Sequence, residues 1–399
     1  MVHDARMKTD IRTKRLTMLQ SPHVQSGFSL VEMMVAVALG LVVTGTVFGV
    51  FLSTSRNFAL DEQIGRMQEN ARFAMTTMAR DLQMVGFWGR LIGPDSIDYT
   101  KTRVCPTPAD QCTGIATDTT LALDVDCQSN NNPPDTSSNF DTWAYDVRAP
   151  IQALPEATSS EANTEFQCIA TSEFMDVTGN QSDVLAIKSV QGVGRERAVQ
   201  SVTERKADDG RVFLRTNGVK GAIIEYDADH TVTGNPGSDV LDWKYVNHVY
   251  YIRNFSVTAG DGIPSLFRKH LFAECTTFDP NPPNDCIDFD HNMQTEAGGV
   301  AEGIEYFHVI FGIDSDNDGV ANFYEAEPTA TDLSGLVTAK IYVLARSPDA
   351  DWAYTNDKTY TLGDVIRGPF NDNFHRRVFS STVVLRNPAN LNALSNLGN

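Results

Sequence analysis

The sequence predicts an α+β protein: one long N-terminal α-helix, its first half embedded in a membrane, packed on a large antiparallel β-sheet head. Three observations predict it. An uncharged apolar run lies near the N-terminus, an apolar stripe at helical spacing follows without a break, and strand-like segments divided by turn signals come after. With 399 residues, 41% hydrophobic and 21% charged, the chain has a globular composition, which excludes wholesale disorder. Asp and Glu outnumber Lys and Arg by 51 to 32, a formal net charge of −19. The bulk head is therefore a poor partner for nucleic acid or anionic lipid.

The apolar run is Met33 to Leu52, MMVAVALGLVVTGTVFGVFL, 20 residues without a charge. As a helix it is about 30 Å long, the thickness of a bilayer core. A buried helix of a soluble protein is the bland alternative, but such helices are rarely apolar on every face. Ahead of the run, Arg6, Lys8, Arg12, Lys14 and Arg15 stand against Asp4 and Asp10, a balance of +3. Basic flanks stay in the cytoplasm, which puts the C-terminal bulk across the membrane. Between them stands Gly27-Phe28-Ser29-Leu30-Val31-Glu32. A carboxylate at membrane depth costs about 2.5–3.5 kcal/mol near a helix centre and less near an end. Glu32 therefore calls for a partner, and no cation lies near it in sequence. A carboxylate snorkelling at the interface is its bland reading.

Past Leu52 the helix continues. Leu60, Ile64, Met67, Ala71, Ala74, Met78, Leu82 and Val85 recur at steps of three and four, one face of an amphipathic helix. Arg56, Asp61, Glu62, Arg66, Glu69, Arg72 and Asp81 are expected on other faces. No proline interrupts Phe28 to Val85, and Gly86 is a suitable terminator.

The head reads as strands and loops. Asp183 to Val190, Arg211 to Arg215, Trp243 to Arg253 and Ser265 to Phe272 are strand-like, with Asp261-Gly262 connecting the last two. Ile304 to Ile313 and Val337 to Ser347 add two more, and Ser129 to Asn139 is a loop by composition. Six cysteines, Cys105, Cys112, Cys127, Cys168, Cys275 and Cys286, all lie beyond the apolar run, where oxidation is open to them. Short loops favour Cys105–Cys112 and Cys275–Cys286, leaving Cys127–Cys168. Zinc is the rival, but no C-x₂-C pair exists.

One loop has calcium spacing. Asp314 to Glu325, DSDNDGVANFYE, matches D-x-D-x-D-G-x₅-E. Asp314, Asp316 and Asp318 offer carboxylates, Val320 a backbone carbonyl, Asn322 a direct or water-linked oxygen and Glu325 a bidentate pair. The strand-like segment ahead of the loop does not match the helix of an EF-hand. A metal-free acidic turn is the alternative. No cofactor is required by this reading, and Ca²⁺ is left open at the loop.

Several of these stretches carry a resemblance. Gly27 to Glu32, set against an apolar span, resembles the type IV prepilin signal, which type II secretion pseudopilins share. The helix end from Asn70 to Gly89 resembles PilW-type minor pilins. So do Tyr250-Tyr251-Ile252, Pro264 to Arg268, and Gly312 with Asp314, Asp318 and Gly319. The ending Arg376-Arg377-Val378-Phe379 with Thr382 to Asn387 is similar both to those pilins and to the J-type pseudopilin.

The resemblance implies the type IV pilin fold and a division into a leader at 1–27, a transmembrane half-helix at 28–56, an amphipathic half-helix at 57–86 and a head at 87–399. It implies cleavage by prepilin peptidase after Gly27 and N-methylation of Phe28. Glu32 would then pair with the free α-amine of a neighbouring subunit, cationic below a pKa of about 8, and set the register of assembly.

The implied partners are other minor pilins, the major pilin, prepilin peptidase, the inner-membrane assembly platform and a tip adhesin. The implied location is the inner membrane, single-pass with a periplasmic head, then the pilus or its tip. The expectation is a non-enzymatic minor pilin that primes assembly or sits at the tip. No G-x-S-x-G, P-loop, Rossmann fingerprint or H-E-x-x-H is present. The alternatives are a minor pseudopilin of a type II secretion system and a single-pass anchored calcium-binding adhesin.

Overall fold

The computed structural model describes residues 27–91, 93–98, 123–125, 127, 143–177, 179, 181–195, 211–225, 240–280, 283–295, 299–329 and 332–387. For 95, 98, 123–125, 195, 224–225, 272–280 and 283–294 it describes the backbone alone. The leader before Gly27, the loop 129–139, Cys105, Cys112 and the side chains of Cys275 and Cys286 therefore lie outside the described structure. By their contacts, residues 1–60 and 61–399 form two units.

Helix α1 runs from Leu30 to Met84 without a break, 55 residues. In the first unit its apolar residues, from Leu30 to Leu52, are all exposed, and the segment is long and apolar enough to cross a membrane. Its hydroxyls are satisfied internally: Thr44 donates to the Gly40 carbonyl at 2.7 Å and Thr46 to the Val43 carbonyl at 2.8 Å. That is what a polar side chain in lipid requires.

In the second unit the predicted stripe is buried from Met67 onward, while Ile64 is only half-buried. Met67, Ala71, Ala74, Met78, Leu82 and Val85 are in the core. They join Leu185, Ile187, Tyr250, Ile252, Phe307, Val309 and Ile341 in one apolar cluster. Asp81 departs from expectation: it is buried, not turned to another face. Its position explains this, because steps of three and four from Met78 and to Val85 pass through 81 as well as 82.

Ten strands form the larger sheet: β1 (Ile97–Asp98), β2 (Leu123–Val125), β3 (Ile151–Leu154), β4 (Val184–Arg195), β5 (Val212–Thr216), β6 (Gly221–Glu225), β7 (Leu241–Arg253), β8 (Ser265–Pro280), β9 (Pro283–Thr295) and β10 (Ala301–Glu302). The remaining strands are β11 (Ile304–Ile313), β12 (Phe323–Glu325), β13 (Leu336–Arg346), β14 (Tyr360–Leu362), β15 (Val365–Arg367) and β16 (Arg376–Val384). β12, β11, β13 and β16 lie in that order in a second sheet, and β14 pairs with β15 as a separate hairpin. All pairings are antiparallel except β1 with β6 and β2 with β9.

The expected α+β class holds, with the head built on two sheets. The break falls at Gly303, the residue between β10 and β11. Its φ is +72°, and a Cβ there would sit 2.9 Å from the Arg346 carbonyl oxygen. Only glycine takes that turn without strain. The long turn between β7 and β8 is organised by Asp261, whose carboxylate accepts the N–H groups of Ser256, Val257, Thr258 and Ile263.

Candidate functional site

The N-terminal signal is the first part of the site. Phe28 precedes α1 and is exposed, as Gly27 is. Glu32 lies in the first helical turn, where its Oε2 accepts the Ser29 N–H at 3.4 Å. A carboxylate there is favoured by the positive end of the helix dipole. Cleaving the chain before Phe28 would put a new cationic amine four residues from Glu32, at the same end of the helix.

The second part is the seat of α1 in the head, which the sequence reading missed. Asp81 Oδ2 accepts from His248 Nδ1 at 2.5 Å and from the Tyr250 hydroxyl at 2.6 Å, and Arg268 Nη1 lies 3.5 Å away. Burial pushes the Asp81 carboxyl up. The bonds from His248 and Tyr250 and the Arg268 charge outweigh it and hold the group below the usual carboxylate range. Burial also drives the Tyr250 hydroxyl well above its ordinary value, with the Asp81 charge adding to the shift. A helix seated on a sheet through apolar side chains alone can slide. A buried carboxylate with donors on β7 and β8 fixes its rotation and its register.

The acidic loop connects β11 to β12, so it leaves and rejoins a sheet rather than a helix pair. Carboxylate oxygens of Asp314, Asp316 and Asp318 lie within 4.8 Å of one another. Asp314 Oδ1 accepts the Asn317 N–H at 2.6 Å, and Oδ2 the Gly319 N–H at 2.7 Å. Desolvation pushes the Asp314 carboxyl up, but these backbone donors outweigh it and lower it. Asn317 and Gly319 take positive φ, +61° and +88°, which shapes the turn.

The remaining expected ligands are arranged differently. Asn322 Oδ1 accepts the Ser315 N–H at 2.6 Å, and the Val320 N–H donates to Asp318 Oδ1 at 2.8 Å. Glu325 is outside the carboxylate cluster, on β12 opposite Phe311. The donor set that the structure assembles is three carboxylates, hard oxygens of the kind calcium takes.

Cys127 and Cys168 are joined by a disulfide. The backbone register places Cys286 opposite Phe278 and Cys275 opposite Phe289. Another buried pair escaped the sequence reading. Arg215 Nε and Nη2 donate to Asp242 at 2.6 and 2.7 Å, with both side chains 2% exposed. It ties β5 to β7.

Two family models match the chain. The model for the Type IV Pilus-assembly protein W covers residues 249–387, and that for the prokaryotic N-terminal methylation motif covers residues 22–48. The first spans the turn held by Asp261, the acidic loop and β16. The second spans Gly27, Phe28 and Glu32. No curated protein and no solved structure gives a match.

Proposed function

We propose that this chain, which carries the signatures of a PilW-type minor pilin at both ends, primes assembly of a type IV pilus or occupies its tip. The two matches support a minor pilin-like role in a type IV pilus. The finer reading rests on one observation: a Gly-Phe-…-Glu signal stands on an uninterrupted helix whose far end is locked into a β-rich head. Prepilin peptidase removes the basic leader after Gly27, and the new Phe28 amine is methylated. That amine neutralises Glu32 of an adjacent subunit in the membrane, and the helices pack side by side.

The helix has features that suit this. Gly45 and Gly49 are four apart, and nothing lies within 4 Å of a Cβ at either. Small residues at that spacing admit close helix approach in lipid. The partners are the other minor pilins, the major pilin, the peptidase, the inner-membrane platform and a tip adhesin. The role is assembly, without catalysis.

Ca²⁺ is an accessory of this reading. Asp314, Asp316 and Asp318 would hold it, and the ion would relieve the mutual repulsion of their carboxylates.

A minor pseudopilin of type II secretion shares the N-terminal physics. The match to the pilus-assembly family over the head favours the pilus. Deleting the gene decides between them. Loss of surface fibres and twitching supports the pilus, whereas loss of protein export with twitching intact supports the secretion system.

A further inference from the structure

The small sheet carries a buried charge cluster away from the N-terminal signal and the acidic loop. His308, midway along β11, has its side chain 1% exposed. Its Nδ1 lies 2.9 Å from Asp183 Oδ2 and its Nε2 2.8 Å from Asp364 Oδ1, so a carboxylate, which can only accept, faces each nitrogen and calls for a donor there. A ring that donates through both nitrogens is an imidazolium.

The two acceptors differ in surroundings. Asp183 stands just before β4, is 1% exposed, and also accepts the N–H of Glu156 at 3.1 Å and of Val309 at 2.9 Å. Asp364 is at the β14–β15 turn, with its side chain 68% exposed. The turn reaches the ring because its other residue, Gly363, lacks a Cβ. One placed there, at a φ of +70°, would lie 3.1 Å from the Tyr342 ring. Tyr306 stacks beside His308, and Tyr342 lies opposite it on β13. Arg367 donates to the Tyr306 hydroxyl and pairs with Glu156. Among the described residues, Asp183 and Asp364 are the charged groups bonded to the ring.

We propose that His308 is a proton-operated latch, which holds the β14–β15 hairpin on the four-stranded sheet and releases it when the ring loses its charge. A neutral imidazole has one N–H. Taking it from Asp183 would leave a carboxylate short of a donor and out of water, the costlier loss. The proton therefore stays on Nδ1. The Nε2 lone pair then faces the Asp364 carboxylate, which water solvates readily. The hairpin is the part that lets go. Its release uncovers Tyr306 and Leu344, on which Tyr360 and Leu362 pack.

Burial pushes the His308 ring down, but the bonds and charges of Asp183 and Asp364 outweigh it and hold the ring above the usual imidazole range. The latch is thus fully closed below the ordinary imidazole value of about 6.5 and opens as pH rises through the higher folded-state value.

The test is hydrogen exchange on the full-length protein in detergent micelles from about pH 5.5 to 8.5, corrected for intrinsic rates. Amides of 360–367 should lose protection several-fold as pH rises, while those of β13 keep theirs. His308→Gln should abolish the pH response. Asp364→Asn, a surface change that preserves the fold, should shrink it and keeps the test open if His308→Gln fails to fold. Hairpin protection that does not vary with pH in the unmodified chain overturns the proposal. So does an undiminished response in Asp364→Asn.

Discussion

The Tyr250 hydroxyl on β7 donates to Asp81 on α1 at 2.6 Å, beside an apolar cluster of methionine, alanine, aliphatic and phenylalanine side chains. With His248 and Arg268 it gives one buried carboxylate three partners on two strands. Removing the acid takes the shared acceptor out of this buried cluster, and breaking a buried ion pair costs about 3–5 kcal/mol. Asp81→Ala should therefore lower the unfolding free energy of the full-length protein, measured by denaturant titration, by about 3–5 kcal/mol. A loss below about 1 kcal/mol would show the cluster to be dispensable. The acid limb has a definite sign. Because the folded Asp81 carboxyl is depressed, its contribution is present above about pH 3.9, the unfolded value, and fades as pH falls through the lower folded value. Denaturant titrations below pH 4 should show that fading in the unmodified protein and lack it in the variant.

Asp261 organises the β7–β8 turn from an exposed position. Desolvation opposes its ionisation, but the N–H groups of Ile263, Val257, Thr258 and Ser256 together outweigh it and bring the carboxyl down to about 2. Solvent screens such a group, so Asp261→Ala should cost no more than about 1 kcal/mol. Hydrogen exchange should localise the loss to 254–264. Its stabilisation persists above about pH 3.9 and disappears only as pH drops toward about 2.

The N-terminus is directly measurable. Mass spectrometry of protein from cells with active prepilin peptidase should find a chain that starts at Phe28 and carries one added methyl group. Glu32→Ala should still be cleaved, yet be lost from sheared fibres. An intact leader, or normal incorporation of Glu32→Ala, would count against the assembly reading and in favour of an anchored adhesin.

Calcium binding separates from all of this. Isothermal titration of the full-length protein in micelles should give saturable heat with CaCl₂, and Asp314→Ala combined with Asp318→Ala should remove it. Absence of heat at about millimolar calcium, the weak end of loop affinities, would end the idea.

Much of the fold was legible because periodicity reports on local geometry. The stripe from Met67 to Val85 and strands over 183–190, 243–253 and 304–313 follow from helical spacing and apolar runs; the first two prove longer, at 184–195 and 241–253. Asp81 was not read as buried, because a lone acid on a helix is normally solvated. Its signal was positional, since it stands in line with Met78 and Val85. Arg215–Asp242 and His308–Asp183 link residues 27 and 125 positions apart. No local pattern joins such residues, because their contact exists only once the strands have paired. The acidic loop shows the opposite limit. Its spacing brought Asp314, Asp316 and Asp318 together, but the strand after the loop carries Glu325 off to face Phe311.

Gly303 alone carries the chain from the larger sheet into the smaller. Besides that covalent link, Ser182 braces the two sheets through its hydroxyl, which exchanges hydrogen bonds with the Phe307 backbone. Asp183 adds bonds from His308 and from the Val309 N–H, and the apolar cluster under α1 draws side chains from both sheets. The two sheets are therefore welded by a shared core rather than hinged at one glycine, and prising them apart would expose that core together with the Ser182 and Asp183 bonds.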